Sequence, residues 1–165
     1  MGTSPRTAPP RGRQLDELAE ALPQRAATLS RLFLMRTSVP ISRIEAGVLA
    51  ALASQPRRIT ELAAREGVTQ PAITLLVNRL QARGWVTREP DPSDRRVVLV
   101  TLAPSGQRVL DRLRAEYRAL LHEEMATLPD RDVRTLAEAI EILDRLIERL
   151  TSEHKQRYSR PRTSP

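Results

Sequence analysis

Apolar side chains return every three or four residues along most of this chain, and where that spacing breaks it gives way to two short β-branched runs. Leu15, Leu18, Ala19, Leu22, Ala26, Leu29, Leu32 and Phe33 predict a first helix from Leu15 to Arg36. Pro23 is expected to kink or split it, since proline lacks an N–H and crowds the preceding turn. Ser42-Arg43-Ile44-Glu45 has the form of a capping box, in which a hydroxyl and a carboxylate satisfy orphan amides at a helix start. A second helix is predicted from there to about Ser54, with Ile44, Val48, Leu49 and Leu52 facing inward. Two long patterns close the folded part. Val109, Leu113, Tyr117, Leu120, Leu121, Met125 and Leu128 predict a helix starting near Pro104 to Gly106. Val133, Leu136, Ala137, Ile140, Leu143, Ile147 and Leu150 predict another starting near Asp130.

The stretch from Ile59 to Leu80 is the most informative, because it reads as helix, tight turn, helix. Thr60 is the expected N-cap of a short first helix and Gly67 the residue that ends it with a positive φ. Thr69 caps the second helix and Pro71 is tolerated in its first turn. Leu62, Ala63, Val68, Ile73, Val77 and Leu80 are its expected buried side. That helix runs to about Arg83, where Gly84 stops it; ~14 residues at 1.5 Å each span ~21 Å, enough to lie in a DNA major groove. Trp85-Val86-Thr87-Arg88 and Val97 to Leu102 then predict two strands around the turn-rich, charged loop Glu89 to Arg96. A helix–turn–helix followed directly by such a hairpin is a winged helix. The expected fold is mainly α with a small β-wing, the winged lobe flanked by N- and C-terminal dimerisation helices.

Composition narrows the chemistry. A length of 165 residues suits one compact domain or one protomer of a small oligomer. Zero cysteines exclude disulfides, Cys-ligated zinc, iron–sulfur clusters and thiol redox sensing, and two histidines make a multi-histidine metal site a poor expectation. A metal-sensing winged repressor is disfavoured on the same ground, carboxylate-only sites apart. No metal or other cofactor is expected. No phosphate-cradling Gly-rich loop, HExxH or nucleophile motif is present, so an enzyme is not expected either. Neither a membrane span nor an apolar leader is visible, and a cytoplasmic protein is expected.

The formal charge of +7 points to a polyanionic partner, with nucleic acid the commonest. Its distribution matters. Residues 1–13 and 151–165 each net +3 and look like disordered basic arms, leaving +1 for the folded part, 14–150. The arms either add sequence-independent attraction to phosphate or simply keep the chain soluble. Residues 111–150 carry ten acidic and seven basic side chains, which disfavours that half as a DNA surface and leaves it to pack on Leu15 to Arg36 of a second copy.

Residues Ile41 to Gly106 resemble the MarR family of winged-helix transcriptional regulators. The resemblance rests on Gln70-Pro71 opening the recognition helix, Thr74, the exit Leu80 to Gly84 with Trp85-Val86, the wing Asp91-Pro92-Ser93-Asp94-Arg95-Arg96, and Leu99-Val100-Thr101-Leu102 followed by Gly106. With the flanking helices it extends over about residues 15 to 150. It implies a homodimer interlocked through dimerisation helices 15–36 and 105–150, a DNA-binding lobe at 41–103, and a palindromic operator gripped by two lobes. It also implies a small ligand, bound between dimer helices and lobe, that often releases DNA. Leu75 stands where the family often has a polar or basic residue, and Asn78 where an acidic one is frequent, so the operator sequence does not carry over.

On this reading Thr69, Gln70, Pro71 and Thr74 form a helix N-terminus aimed at double-stranded DNA, Gln70 being able to bond adenine bidentately; the plain alternative is an ordinary capped helix. Arg79 and Arg83 are either phosphate contacts or solvated charges, as are Arg57, Arg58 and Arg88 with weaker warrant. In the wing, an Asp94–Arg pair is expected to orient the loop while Arg95 or Arg96 enters the minor groove, against the alternative of an exposed charged loop. The resemblance places an effector pocket near Met35, Arg36 and Tyr117, Arg36 suiting an anionic aromatic ligand such as a phenolic carboxylate; core or interface packing is the simpler account of each. His122 is expected at an interface or the surface.

The function expected is a homodimeric, sequence-specific regulator, a ligand-responsive repressor at a pseudo-palindrome. The rival readings are a non-specific architectural DNA-binding protein working through its basic arms, and a helical protein-interaction module.

Overall fold

A computed structural model describes residues 10–159, with side chains to residue 152. Among the described residues, six helices and three short strands follow in the order α1 (Arg11–Arg36), α2 (Arg43–Leu52), β1 (Arg57–Arg58), α3 (Ile59–Glu66), α4 (Gln70–Ala82), β2 (Val86–Pro90), β3 (Val98–Leu102), α5 (Pro104–Met125) and α6 (Asp130–Ser159). The chain divides into two compact units, residues 1–118 and 119–165.

Local chemistry sets the element boundaries in the first unit. Ser42 makes the expected reciprocal cap: its hydroxyl accepts from the Glu45 amide at 3.3 Å, and its own amide donates to Glu45 Oε2 at 2.8 Å. α3 begins one residue before Thr60, so Thr60 lies inside the helix rather than capping it; the carboxylate of Glu61 instead takes the amide of Arg58 at 3.3 Å. Gly67 ends α3 at φ +67°, the left-handed conformation that a Cβ disfavours. Pro23 does not split the first helix. The surrounding residues are exposed, so water can satisfy the carbonyl one turn back, which loses its helical partner to the missing N–H.

Apolar side chains from several helices and the sheet converge on the lobe's core. Val48, Leu49 and Leu52 come from α2, Leu62 from α3, and Ile73, Leu76, Val77 and Leu80 from α4; Val86 and Val100 add the sheet and Leu110 adds α5. Val68, expected in this core, is only partly buried against it. The wing hairpin is antiparallel with Val86 opposite Leu102 and Pro90 opposite Val98. A third strand, β1, pairs with β3 in the order β1-β3-β2; two arginines gave no apolar alternation to mark it. Gly106 fits where α5 leaves the sheet, so close to the carbonyl of Trp85 that no Cβ has room.

The connection between α1 and α2 is tied to a carboxylate of α5. Glu116 accepts from the hydroxyls of Thr37 (2.6 Å) and Ser38 (2.5 Å) and from the Ser38 amide (2.8 Å), while Arg112 bonds both Glu116 and Ser38. Beside it, Phe33 and Tyr117 stack with ring centroids 4.7 Å apart.

In the second unit, the end of α5 turns through Thr127 and Leu128 into α6. On α6, Val133, Leu136, Ile140, Ile147 and Leu150 recur at alternating three- and four-residue steps through Leu143, and those five are exposed. On α1, Leu15, Leu18, Leu22, Leu29 and Leu32 are likewise exposed, at steps of three, four, seven and three residues, Arg25 standing in the gap.

The expected basic arms need trimming. Arg11, Gly12 and Arg13 belong to α1, and residues 151–159 continue α6, because helical hydrogen bonding extends past the last apolar position. Residues 1–9 and 160–165, the remainder of those arms, lie outside the described residues.

Candidate nucleic-acid interface

α4 buries Ile73, Leu76, Val77 and Leu80, which fixes the opposite stripe outward. That stripe carries Pro71, Thr74, Leu75, Asn78 and Arg79, with Gln70 exposed on the first turn. Thr69 caps the helix by accepting from the Ala72 amide at 3.4 Å. The Thr74 hydroxyl donates to the Gln70 carbonyl at 2.8 Å, so its oxygen faces a ligand as an acceptor. Leu75 is 64% exposed, leaving an apolar surface in the middle of this stripe.

The arginines around this stripe sort into two groups. Arg83, expected as a phosphate contact, is turned to the protein: it pairs with the buried carboxylate of Glu45 at 3.3 Å and lies 5.0 Å above the Trp85 ring. Arg57 donates to the Ala51 carbonyl at 3.3 Å, and Arg58 pairs with Asp91 at 3.8 Å. Arg88 reaches from β2 across to α4, donating to Asn78 Oδ1 and Gln81 Oε1, both at 2.6 Å. Arg79, Arg95 and Arg96 are exposed and take part in no ion pair among the described residues.

The wing loop is built by two aspartates. Asp91 accepts from the amide (2.8 Å) and hydroxyl (2.6 Å) of Ser93, and these hydrogen bonds hold its carboxyl below the ordinary range. Asp94 accepts from the backbone amide of Arg96 at 3.0 Å, and its own carbonyl takes the amide of Val97 at 2.9 Å. Asp94 therefore orients the loop through a peptide group; the aspartate–arginine side-chain pair of the wing is Asp91 with Arg58. A turn residue whose short carboxylate can reach the amide two positions on favours this local bond over a side-chain pair. The result frees both guanidinium groups at the loop, Arg95 and Arg96, for a ligand.

Sequence reasoning named Thr69, Gln70, Pro71, Thr74, Arg79, Arg88, Asp94, Arg95 and Arg96 for this surface, and they fall on α4 and its N-cap, on β2 and on the loop that joins β2 to β3. It used Leu75 and Asn78 only as departures from a pattern and passed over Gln81. Helical spacing from Pro71 and Thr74 was the available signal for Leu75 and Asn78.

A separate cleft of about 650 Å³ opens along α1, lined by Ala26, Ala27, Ser30, Arg31, Leu34, Met35 and Arg43. Of the three expected effector residues only Met35 lines it; Arg36 closes α1, and Tyr117 is engaged with Phe33. Among the described residues no cluster of His, Asp and Glu could hold a metal, and no helix is long and apolar enough to cross a membrane.

Residues 40–97 match the MarR family. The chain is 34% identical over 120 residues to a helix–turn–helix transcriptional regulator of Mycobacterium tuberculosis, covering 70% of this chain and 84% of that one. Among solved structures, the transcriptional regulator BldR of Sulfolobus solfataricus aligns with a TM-score of 0.69 at 28% identity, over 86% of this chain and 99% of BldR. The apo form of Escherichia coli MarR aligns with a TM-score of 0.61 at 26% identity, over 83% and 98%. A winged helix with these relatives defines a DNA-binding regulator of transcription rather than an enzyme. The chain belongs to the MarR family.

Proposed function

We propose that two copies of this chain bind a pseudo-palindromic operator, with the α4 helices in successive major grooves ~10 bp apart and the two wings on the flanking minor grooves. The observation that carries this reading is the stripe of Gln70, Pro71, Thr74, Leu75 and Asn78 on α4, with exposed Arg95 and Arg96 on the adjoining wing. Gln70 and Asn78 offer amides to base edges and Leu75 offers an apolar surface to a thymine methyl. Thr69 and Arg79 meet phosphate, and Arg95 and Arg96 answer the negative potential of a narrow minor groove. Asp94 acts indirectly, through the loop.

The second copy covers the exposed apolar stripes of α1 and α6. Each extends over several turns, and stripes of this length in water call for a helical partner. An effector fits the cleft along α1: its lining is apolar apart from Ser30 and two guanidinium groups, Arg31 and Arg43, which suits an anionic aromatic molecule. The protein works in the cytoplasm, where the operator lies.

Two variants test the contact assignment on a selected operator. Gln70→Ala changes the base preference and costs about 1–3 kcal/mol at the contacted base, whereas Arg96→Ala weakens binding to all sequences and lowers the salt slope by about 1. Wild-type binding by both variants would show the assignment to be wrong.

A further inference from the structure

Of the three primary amides exposed on α4, those of Asn78 and Gln81 have their direction fixed by one cation. Arg88 donates through Nη2 to Asn78 and through Nη1 to Gln81, each at 2.6 Å. A guanidinium has donors only, so it is the oxygen of each amide that faces it and the amino group that is left over. The two anchors lie three residues apart on one helix, which prevents the planar fork from turning away from either. Arg88 itself sits on a fixed support: it is paired in the sheet opposite Val100, which is completely buried. The Asn78 amino group meets no protein acceptor among the described residues.

We infer that Arg88 is a positioning residue for base readout, holding the Asn78 carbonyl so that its amino group addresses the DNA as a donor alone and selects an edge of acceptors without a competing donor, guanine (O6, N7) or thymine (O4), over adenine, whose N7 acceptor stands beside the N6 donor. Asparagine reads adenine by using both ends of its amide, accepting from N6 and donating to N7. Here the accepting end already carries a short, charge-assisted bond, and the N6 amino group would have to approach the same oxygen beside a cation. The oxygen's engagement also polarises the amide and strengthens its remaining donors. This inference rests on the reading of α4 as the major-groove helix, and it separates Arg88 from a phosphate contact.

The test uses the full chain and duplexes selected from a random pool by the wild-type protein. Asn78→Ala first identifies the operator position that depends on Asn78. At that position the wild type is expected to prefer guanine or thymine over adenine by about tenfold. Arg88→Met should erase most of that preference with the salt slope unchanged, and Arg88→Lys, which keeps a donor, should restore part of it. Asn78→Asp retains the acceptor for Arg88 but removes the amino group, and should move the preference toward cytosine, whose N4 donates. A wild-type preference for adenine there would overturn the inference. So would an Arg88→Met variant that binds all sequences more weakly, with the salt slope lowered by about 1, the mark of a lost phosphate contact. If Arg88→Met does not fold, Asn78→Asp decides: a shift to cytosine supports the positioning role and an unchanged motif overturns it. Selection of no motif by the wild type would instead defeat the reading of α4 as a sequence-specific helix.

Discussion

The Glu45 carboxylate, 6% exposed, lies 3.3 Å from the guanidinium of Arg83 and joins the first turn of α2 to the residue that closes the recognition helix. Its second oxygen holds the amide of Ser42, so one side chain both starts α2 and secures the end of α4. Glu45→Ala removes the cap and the pair together and should cost about 2–3 kcal/mol. Arg83→Ala should cost less, about 1–2 kcal/mol, because water reaches the partly exposed guanidinium and screens the pair. Urea denaturation checks both. In DNA titrations Arg83→Ala should keep the wild-type salt slope; a slope lowered by about 1 would return Arg83 to the phosphate contacts.

Gly106 is the tightest joint between wing and α5. A Cβ there would collide with the Trp85 carbonyl, whose oxygen also accepts from Ala103 at 3.0 Å, and with Leu102. Backbone cannot swing aside as a side chain can, so Gly106→Ala should destabilise by about 3 kcal/mol, the upper part of the overpacking range. Gly12→Ala on α1 is the control: its Cβ meets nothing within 4 Å, and helix propensity favours it by up to about 1 kcal/mol. Thermal unfolding of the two variants should shift in opposite directions.

Acid should loosen the tie between α5 and the α1–α2 connection. The hydroxyls of Ser38 and Thr37, the Ser38 amide and Arg112 hold the Glu116 carboxyl down at about 2, from an ordinary 4.5. A depressed carboxylate stabilises the fold fully above its unfolded value, and that contribution disappears as the pH falls from 4.5 through about 2. Glu66 runs the other way. Burial raises its carboxyl against the pull of Arg43 and Arg65, so protonation there favours the fold. The difference between wild type and Glu116→Gln isolates the first effect: the wild type's advantage in denaturation midpoint should shrink steadily through that window. An advantage independent of pH would mean that the hydrogen bonds do not depend on the charge.

The apolar stripe of α6 predicts its own test. Ile140 is 58% exposed in the single chain and lies mid-stripe. Ile140→Glu would carry an unpaired carboxylate into a dimer seam, at a cost of several kcal/mol, about a hundredfold or more in association. Sedimentation should show dimers for the wild type and monomers for the variant, with the winged lobe still folded. A variant that sediments like the wild type would place the interface elsewhere.

The sequence makes the winged lobe legible because each of its joints uses local chemistry: the Ser42–Glu45 box, Gly67 at positive φ, Thr69 as a cap, and apolar periods of 3.6 and 2. What it hides depends on neighbours distant in the chain. β1 consists of two arginines and exists only because β3 offers an edge to pair with. Arg83 and Arg88 look alike as basic residues near the recognition helix, yet one faces Glu45 and Trp85 and the other Asn78 and Gln81. Glu45 lies 38 residues from Arg83, and Asn78 and Gln81 lie on a different element from Arg88, 10 and 7 residues back, so nothing in local pattern distinguishes the pairings. Pro23, expected to kink or split the first helix, leaves it one element from Arg11 to Arg36, because an exposed helix can tolerate one lost hydrogen bond.

The central claim is sequence-specific recognition by a symmetric dimer, and selection of bound duplexes from a random pool at near-physiological salt tests it most directly. Non-specific binding is only micromolar or weaker under those conditions, so a motif emerges only where bases are read. A symmetric dimer selects a two-fold symmetric motif with half-sites ~10 bp apart, lost in Ile140→Glu. Recovery of duplexes with no common motif, or of a single asymmetric site retained by that variant, would contradict it.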